Sequence, residues 1–394
     1  MAVIAEDASG DTAGSARAKG SQQLQSLQAV LEQAASSRDA AGFQPAYFGT
    51  GAGNPAVEGI KQQMLPRALW NLDRIDKRGS ALNGHYRYGT LHSRGTGKGV
   101  TIYTLDSGLR ISHQEFQAWD GSGRRGNYGW DFSGGASDWN ASDCDGHGTH
   151  VASVAAGRTV GVAKEANVVA VKVLDCDGSG TISTVTAGLD WLLMNHLPPA
   201  VATMSLTVPV GLWSRVLDTA VSNFIEQAKI TVVVAAGNAK VDSCTTAPGN
   251  VNGTLNMAAS DLSTKFYPHP PAGVNDGMYP WSDTGRCVDM FAPGVDILAA
   301  CGGAARCLNV SDAAYAWASG TSMAVPHAAG VAAIYLSDHP TAAPNEVIAA
   351  LQAAADPSTV QAPNILPGTP QLMLNTDLYG AYASQENVSA ANGP

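Results

Sequence analysis

Ser322 lies in the run Ser319-Gly320-Thr321-Ser322-Met323-Ala324-Val325-Pro326-His327, between a glycine-bearing turn and small residues that can sensibly continue only as a buried helix. A hydroxyl at a helix N-terminus gains from the partial positive charge there, and its own backbone N–H is free to stabilise a developing oxyanion. Such a serine is a candidate nucleophile if a base and an orienting carboxylate exist elsewhere. Val100-Thr101-Ile102-Tyr103-Thr104-Leu105 has strand composition and stops at Asp106-Ser107-Gly108, a carboxylate at the strand end where α/β sheets carry their chemistry. Asp145-Gly146-His147-Gly148-Thr149-His150 then opens an Ala/Val-rich helix, Val151 to Ala156, closed by Gly157. In those roles Ser322 Oγ attacks a scissile carbonyl, His147 takes its proton and passes it to the leaving amine, and Asp106 holds the imidazole's tautomer. A fourth group follows Val232-Val233-Val234-Ala235-Ala236-Gly237, which reads as a buried strand ending at Asn238. The Asn238 amide can donate to the oxyanion beside the Ser322 N–H, a contribution of about 3 to 4 kcal/mol.

Each residue has an ordinary reading when taken alone. Ser322 would cap a helix, Asn238 would sit in a turn, and Asp106 would bind nearby amides. The four occurring together, each in a suitable local context, favours the catalytic reading. His147 and His150 could instead be metal ligands, but no Glu lies between them and no third ligand cluster appears. An esterase elbow would need Gly-x-Ser-x-Gly, and the second residue after Ser322 is Ala324. Cys144 lies near His147, but nothing places an oxyanion site beside that thiol.

The chain order Asp106, His147, Ser322 is that of the subtilisin triad. Asp106-Ser107-Gly108, His147-Gly148-Thr149-His150 and Gly320-Thr321-Ser322-Met323-Ala324-Val325-Pro326 resemble the three signatures of the subtilisin-like serine peptidases, the subtilases. Val173-Leu174-Asp175-Cys176-Asp177-Gly178-Ser179-Gly180 and Phe291-Ala292-Pro293-Gly294 look like the proteinase K branch, and the resemblance covers roughly Leu69 to Leu351. It implies a three-layer α/β fold, a mainly parallel central sheet with helices on both faces, and a serine endopeptidase needing no cofactor for catalysis. In the family, the Asn matching Asn238 completes the oxyanion site.

Peptidases of this kind hold an extended substrate by strand addition, which requires two exposed strand edges beside the nucleophile. The resemblance supplies them from Gly178-Ser179-Gly180 and from the segment starting at Ser205-Leu206. Relatives usually continue Ser-Leu-Gly-Gly, whereas this chain has Ser205-Leu206-Thr207-Val208-Pro209. A β-branched residue and a proline narrow the backbone's freedom and remove an N–H donor, so an altered subsite is expected beyond Ser205. By the same correspondence Ser205, Leu206, Thr207, Ala235, Ala236 and Gly237 wall the pocket for the residue before the cleaved bond. None is charged, which disfavours a charged occupant and predicts an apolar or aromatic one.

Six cysteines, at 144, 176, 244, 287, 301 and 307, form an even set compatible with three bridges in an oxidising compartment, and 15 pairings remain open from sequence. Free buried thiols in an intracellular protein are the rival. The resemblance implies Cys144 with Cys176 and Cys244 with Cys287, leaving Cys301 and Cys307 as a short-range pair. It also implies a structural Ca²⁺ held by the Asp289 carboxylate and by carbonyls near Asn252 and Thr254, hard oxygen ligands that suit the ion. A surface aspartate at a strand start is the alternative reading.

The elements that must position these groups follow from pattern. Strands near Val100, Val168, Ala202 and Thr231 alternate with helices near His147, Ser183 and Ser214, and helices from Ser322 and Pro344 finish the body. Val185, Leu189, Leu192 and Leu193 form a core stripe on the second of these helices. The expected organisation is an N-terminal extension over 1–66, a peptidase domain over 67–360 and a surface-lying tail over 361–394. Within the extension, 1–20 lack pattern, 21–36 have amphipathic helical spacing, and 42–55 read as a linker.

The chain is 45% hydrophobic and 14% charged with 43 glycines, which suits a compact α/β body with many tight turns. A net charge of -10 argues against nucleic acid as a partner, and no stretch approaches the apolar length needed to span a bilayer. Protein or peptide substrates and a monomer are expected. Met1-Ala2-Val3-Ile4-Ala5-Glu6 has neither the basic start nor the apolar core of a signal peptide. With the cysteines, this predicts a secreted enzyme whose leader and propeptide are not evident here, with an intracellular enzyme as the alternative. Asn140, Asn252, Asn309 and Asn387 begin glycosylation sequons. The rival functional class is a catalytically inactive subtilase-fold binding protein, since fold alone does not guarantee activity.

Overall fold

A computed structural model describes residues 2–5, 61–65, 67–88, 95–135, 138–208, 214–262, 276–307, 309–357, 360 and 365–378. The expected helix at 21–36, the linker at 42–55, Pro209 and Asn387 lie outside these residues. The first elements are β1 (Ala2–Ala5), β2 (Lys61–Met64), α1 (Trp70–Ile75), β3 (His85–Tyr88), β4 (Thr101–Asp106), β5 (Gly126–Asp131) and α2 (His147–Ala156). The middle of the chain forms β6 (Asn167–Lys172), β7 (Ser179–Thr181), α3 (Ile182–Asn195), β8 (Ala200–Met204), β9 (Leu206–Thr207), α4 (Arg215–Ala228) and β10 (Thr231–Ala235). Then come β11 (Thr254–Leu262), β12 (Asp276–Met278), β13 (Met290–Pro293), β14 (Ile297–Ala300), β15 (Tyr315–Ala318), α5 (Thr321–Asp338) and α6 (Pro344–Ala354).

The central sheet runs β12-β11-β10-β8-β4-β6-β5, with β13 also pairing β11. Its neighbours are parallel except β12 on β11. Strand β10, Thr-Val-Val-Val-Ala, is buried at every position, as expected of a parallel strand covered on both faces. Side chains alternate across a strand, so its valines divide between two cores. Val233 joins the core built with Val151 and Val154 of α2, Val325 and Ala329 of α5, and Val347 and Leu351 of α6. Val232 and Val234 join the other, with Val185 and Leu189 of α3 and Leu217, Val221 and Phe224 of α4. Two helical layers therefore enclose one sheet, as the sequence predicts.

Helix α3 starts at a capping box, with Thr181 accepting from the Thr184 N–H, and the Ser214 side chain accepts from the Leu217 N–H to start α4. Pro326 lies inside α5 and has no N–H for the carbonyl four residues earlier, that of Ser322. The Ser205 hydroxyl donates to that carbonyl instead, at 3.0 Å, which ties the strand edge to the start of the helix.

The C-terminal segment departs from expectation. Leu374 N donates to Phe291 O and Phe291 N to Leu372 O, both at 2.8 Å, and Met373 and Leu374 are fully buried. Leu372-Met373-Leu374 is too short to show helical periodicity, yet it pairs along β13, and Met373 closes a small core with Phe291 and Val288 while Leu374 joins the larger one. A surface-lying course is therefore wrong for this part of the tail.

Candidate active site

Asp106 ends β4, where its carboxylate is 1% exposed. Its Oδ1 accepts from the Ser107 N–H at 2.7 Å and faces His147 Nδ1 at 2.8 Å. His147 is the first residue of α2, which can approach the strand end because Gly148 packs directly on Gly108; a Cβ at Gly148 would collide with the Gly108 carbonyl. With Nδ1 committed to Asp106, the buried Nε2 has no partner among the described residues. That nitrogen is the one a neutral imidazole would use to accept a proton.

Asp143, which sequence reasoning passed over, fastens the strand end to the helix start. Its Oδ1 accepts from Ser107 Oγ at 3.0 Å and Gly146 N at 2.8 Å, and its Oδ2 accepts from Thr149 N at 2.9 Å and Thr149 Oγ1 at 2.6 Å. Ser107 Oγ in turn accepts from Gly148 N at 2.9 Å. Burial pushes the Asp143 carboxyl above its usual range while these donors pull the other way. The only sequence signal was its place four residues before His147.

Ser322 is the second residue of α5, so its N–H has no acceptor within the helix. Its Oγ donates to the Ser205 carbonyl at 3.0 Å, in the opposite sense to the bond from Ser205 Oγ to Ser322 O. Asn238 follows β10, and its Oδ1 accepts from Thr321 N at 2.9 Å and Thr321 Oγ1 at 3.0 Å. The amide is thereby turned so that its NH₂ end is left to donate beside the head of α5. Gly237, at φ +116, permits the turn before it; a side chain there would strike Asp283. Asp283 accepts from Ala239 N at 2.7 Å and Val241 N at 3.0 Å, and burial pushes its carboxyl up to about 6.

Asp106 and His147 thus meet directly, while Ser322 and Asn238 meet through Thr321 and the two serines lock together. The two other nearby histidines are structural. His150 Nε2 faces the carbonyls of Ile297 and Ala316 at 3.1 and 3.2 Å, and burial pushes it down to about 3, which keeps the ring neutral. His327 donates through Nδ1 to Met323 O at 2.7 Å and faces Asn71 Nδ2 at 2.8 Å, with burial pushing it down to about 4.

Ser205, Leu206, Thr207, Ala235, Ala236 and Gly237 are all buried and uncharged. Gly178 precedes β7, and a Cβ there would meet Arg306 Nη2 and Asp145 Oδ1. Arg306 Nε donates to Asp145 Oδ1 at 2.8 Å, an ion pair spanning 161 residues that no local sequence pattern predicts. All three cysteine pairs form: Cys144–Cys176, Cys244–Cys287 and Cys301–Cys307. A separate surface cleft of about 500 Å³ lies between α3 and α4, lined by residues such as Leu189, Val216 and Phe224 and by none of the groups above.

The carboxylate expected to hold calcium faces hydrogen-bond donors. Asp289 Oδ2 accepts from Asn256 N at 2.7 Å and Oδ1 from Gln352 Nε2 at 3.2 Å, and burial pushes the group up to about 6. Thr254 turns its hydroxyl to Val251 O, and Asn252 is exposed in the adjoining turn. Both Asp289 oxygens thus accept from N–H donors of the protein, and a Ca²⁺ held there would share them with those donors. Among the described residues no cluster of three or more His, Cys, Asp or Glu is placed to hold a metal, and no helix is long and apolar enough to cross a membrane.

A family model described as the subtilase family matches residues 97–380. The chain is 43% identical over 308 residues to an extracellular serine proteinase of Thermus sp. (strain Rt41A), covering 77% of this chain and 66% of that protein. It is 40% identical over 293 residues to alkaline serine exoprotease A of Vibrio alginolyticus, covering 74% of this chain and 48% of that protein. The chain thus spans about half to two thirds of the length of these relatives. The crystal structure of a cold adapted subtilisin-like serine proteinase superposes with a TM-score of 0.64 at 36% identity, covering 79% of this chain and 99% of that one.

Proposed function

This chain belongs to the subtilase family, and from that premise we propose that it is a serine endopeptidase working through Asp106, His147 and Ser322. The observation that carries the reading is the buried Asp106–His147 pair at 2.8 Å, which leaves Nε2 with no partner among the described residues. In the resting site Ser322 Oγ donates to Ser205 O. Catalysis on this reading requires that hydroxyl to leave Ser205 O and give its proton to His147 Nε2.

His147 then takes the hydroxyl proton as Ser322 Oγ bonds to the scissile carbonyl carbon, and Asp106 stabilises the imidazolium. The carbonyl oxygen becomes an oxyanion and receives the Ser322 N–H and the free Asn238 NH₂. The C–N bond breaks, the His147 proton leaves on the amine, and an acyl-Ser322 ester remains. Water attacks that ester with His147 again as base, which releases the acid and restores the hydroxyl. No step needs a metal, and none is routed through one.

Gly178, Ser179 and Gly180 with Ser205, Leu206 and Thr207 would hold an extended protein or peptide. The uncharged pocket favours an apolar or aromatic residue before the cleaved bond. The Thermus relative named as extracellular and the three cysteine pairs support action outside the cytoplasm. Asp106, His147, Ser322 and Asn238 all belong to one chain, which supports action as a monomer. PMSF labelling of the purified protein tests the reading, with stoichiometric labelling and casein hydrolysis expected in the native chain and neither in Ser322→Ala. An oxidised, folded chain that neither labels nor hydrolyses casein would leave the inactive binding protein as the better account.

A further inference from the structure

The two expected substrate edges are already bridged by a strand of the chain itself. Strand β1 lies between β7 and β9 and pairs with both in parallel. Val3 is opposite Ser179 on one side and Thr207 on the other, Ala2 is opposite Leu206, and Ala5 is opposite Thr181. Backbone groups that would receive a substrate by strand addition are thereby taken up.

The direction of β1 matters more than its presence. Ser205 touches Ser322, so residue numbers along β9 rise away from the nucleophile. A substrate acylating Ser322 has the residue before the cleaved bond in the pocket and its preceding residues stretched outward along both edges. Its numbering therefore rises toward Ser322, antiparallel to β9. Strand β1 rises away from Ser322, in the reverse sense. A reversed strand can use the edges' N–H and C=O groups, yet it brings no acyl carbonyl into the attack position as the end of an incoming chain.

Resting on the proposed peptidase reading, we propose that Ala2–Ala5 is a built-in, reverse-running occupant of the substrate edges that competes with substrate and is not itself cut. Because residues 6–60 join it covalently to the body, it competes intramolecularly, and linkage within one chain gives effective concentrations up to about the millimolar range. Free peptide must displace it.

Val3→Pro removes the N–H of the residue paired on both sides and fixes its φ, and Ile4→Pro removes that of the next residue, which is paired with Gly180. On a four-residue apolar peptide p-nitroanilide, either variant should lower KM by about tenfold or more with kcat unchanged, as expected for loss of a millimolar-scale competitor. Amide hydrogen exchange provides a readout independent of turnover: protection over 178–181 and 205–208 should fall in both variants while the central sheet keeps its own. KM within twofold of the native value together with unchanged exchange would overturn the proposal. So would cleavage of the native chain within residues 1–6 that disappears in Ser322→Ala, because the segment would then be a substrate. PMSF separates the two readings. A native chain and variants that all fail to label refute the peptidase reading, while the exchange comparison still decides whether the strand sits on the edges.

Discussion

The proposed catalytic corner and the proposed substrate edges lie against each other but are built on opposite principles. Asp106 ends a six-residue strand, His147 and Ser322 head buried helices, and Asn238 follows a strand buried at every position. Each of these groups is fixed by partners from a second element, such as Asp143 for the α2 start and Thr321 for Asn238. The edges are strands of three and two residues that take in another strand of the same chain. On the proposed reading, rigid elements set where bonds break, and short accommodating ones receive whatever is to be broken. Damage to the corner should therefore appear in kcat, and damage to the edges in KM.

The sharpest break in that comparison is Ser322→Ala. It should lower kcat by on the order of 10⁶ with KM little changed, because the nucleophile is lost while the edges are not. Single-turnover and steady-state assays on one peptide would check it. A loss mainly in KM would mean that the corner and the edges are not separable.

Asn238→Ala should come next, lowering kcat by roughly 10²- to 10³-fold for one oxyanion donor. KM should again hold. Since Asn238 also accepts from Thr321, a lower thermal midpoint is expected too, and Asn238→Asp, which retains an acceptor but no NH₂, separates the two effects. If Asn238→Asp keeps native kcat, the amide is not the oxyanion donor.

Most of the corner was legible in the sequence, and the edges only in part. Asp106, His147, Ser322 and Asn238 each stand where a strand or helix must begin or end, and glycines mark those boundaries. Asp143 escaped notice because its work is done through the backbone N–H groups of Gly146 and Thr149, and a sequence does not display its donors. Arg306 with Asp145 is a contact between distant segments that no local pattern encodes. Ala2-Val3-Ile4-Ala5 was passed over within a patternless stretch, although a four-residue apolar run with two β-branched members was the available strand signal. The burial of Met373 was missed for the same reason, since a strand this short is stabilised by its neighbour and not by its own periodicity.

One covalent link joins the two regions and tests how independent they are. Cys144 lies three residues before His147, Cys176 lies two before Gly178, and the bridge closes a separation of 32 residues. Replacing both cysteines by serine should cost about 3 kcal/mol of stability through the unfolded chain's regained freedom. If the regions differ as described, peptide KM should rise several-fold at temperatures where the protein remains folded, with kcat nearly constant. A fall in kcat at constant KM would show that the bridge serves the histidine rather than the edge.

The smallest effect concerns the corner's own support and depends on pH. Burial raises Asp283 from an ordinary value of 3.8 to about 6, so the folded protein retains this proton over a range in which the unfolded chain has released it. The stability this group contributes is fully present below about pH 4 and is lost as pH rises through 6, after which it stays constant. Across that window the loss is roughly 2 to 3 kcal/mol. Asn at this position keeps an oxygen for the Ala239 and Val241 N–H groups and offers its NH₂ to Thr246 Oγ1 without titrating. Asp283→Asn should therefore flatten the difference in denaturation midpoint between pH 4 and pH 7 relative to the native protein, while KM on the edges stays the same. An unchanged pH profile in the variant would mean that Asp283 is ionised in the folded corner, held by its three donors strongly enough to offset burial.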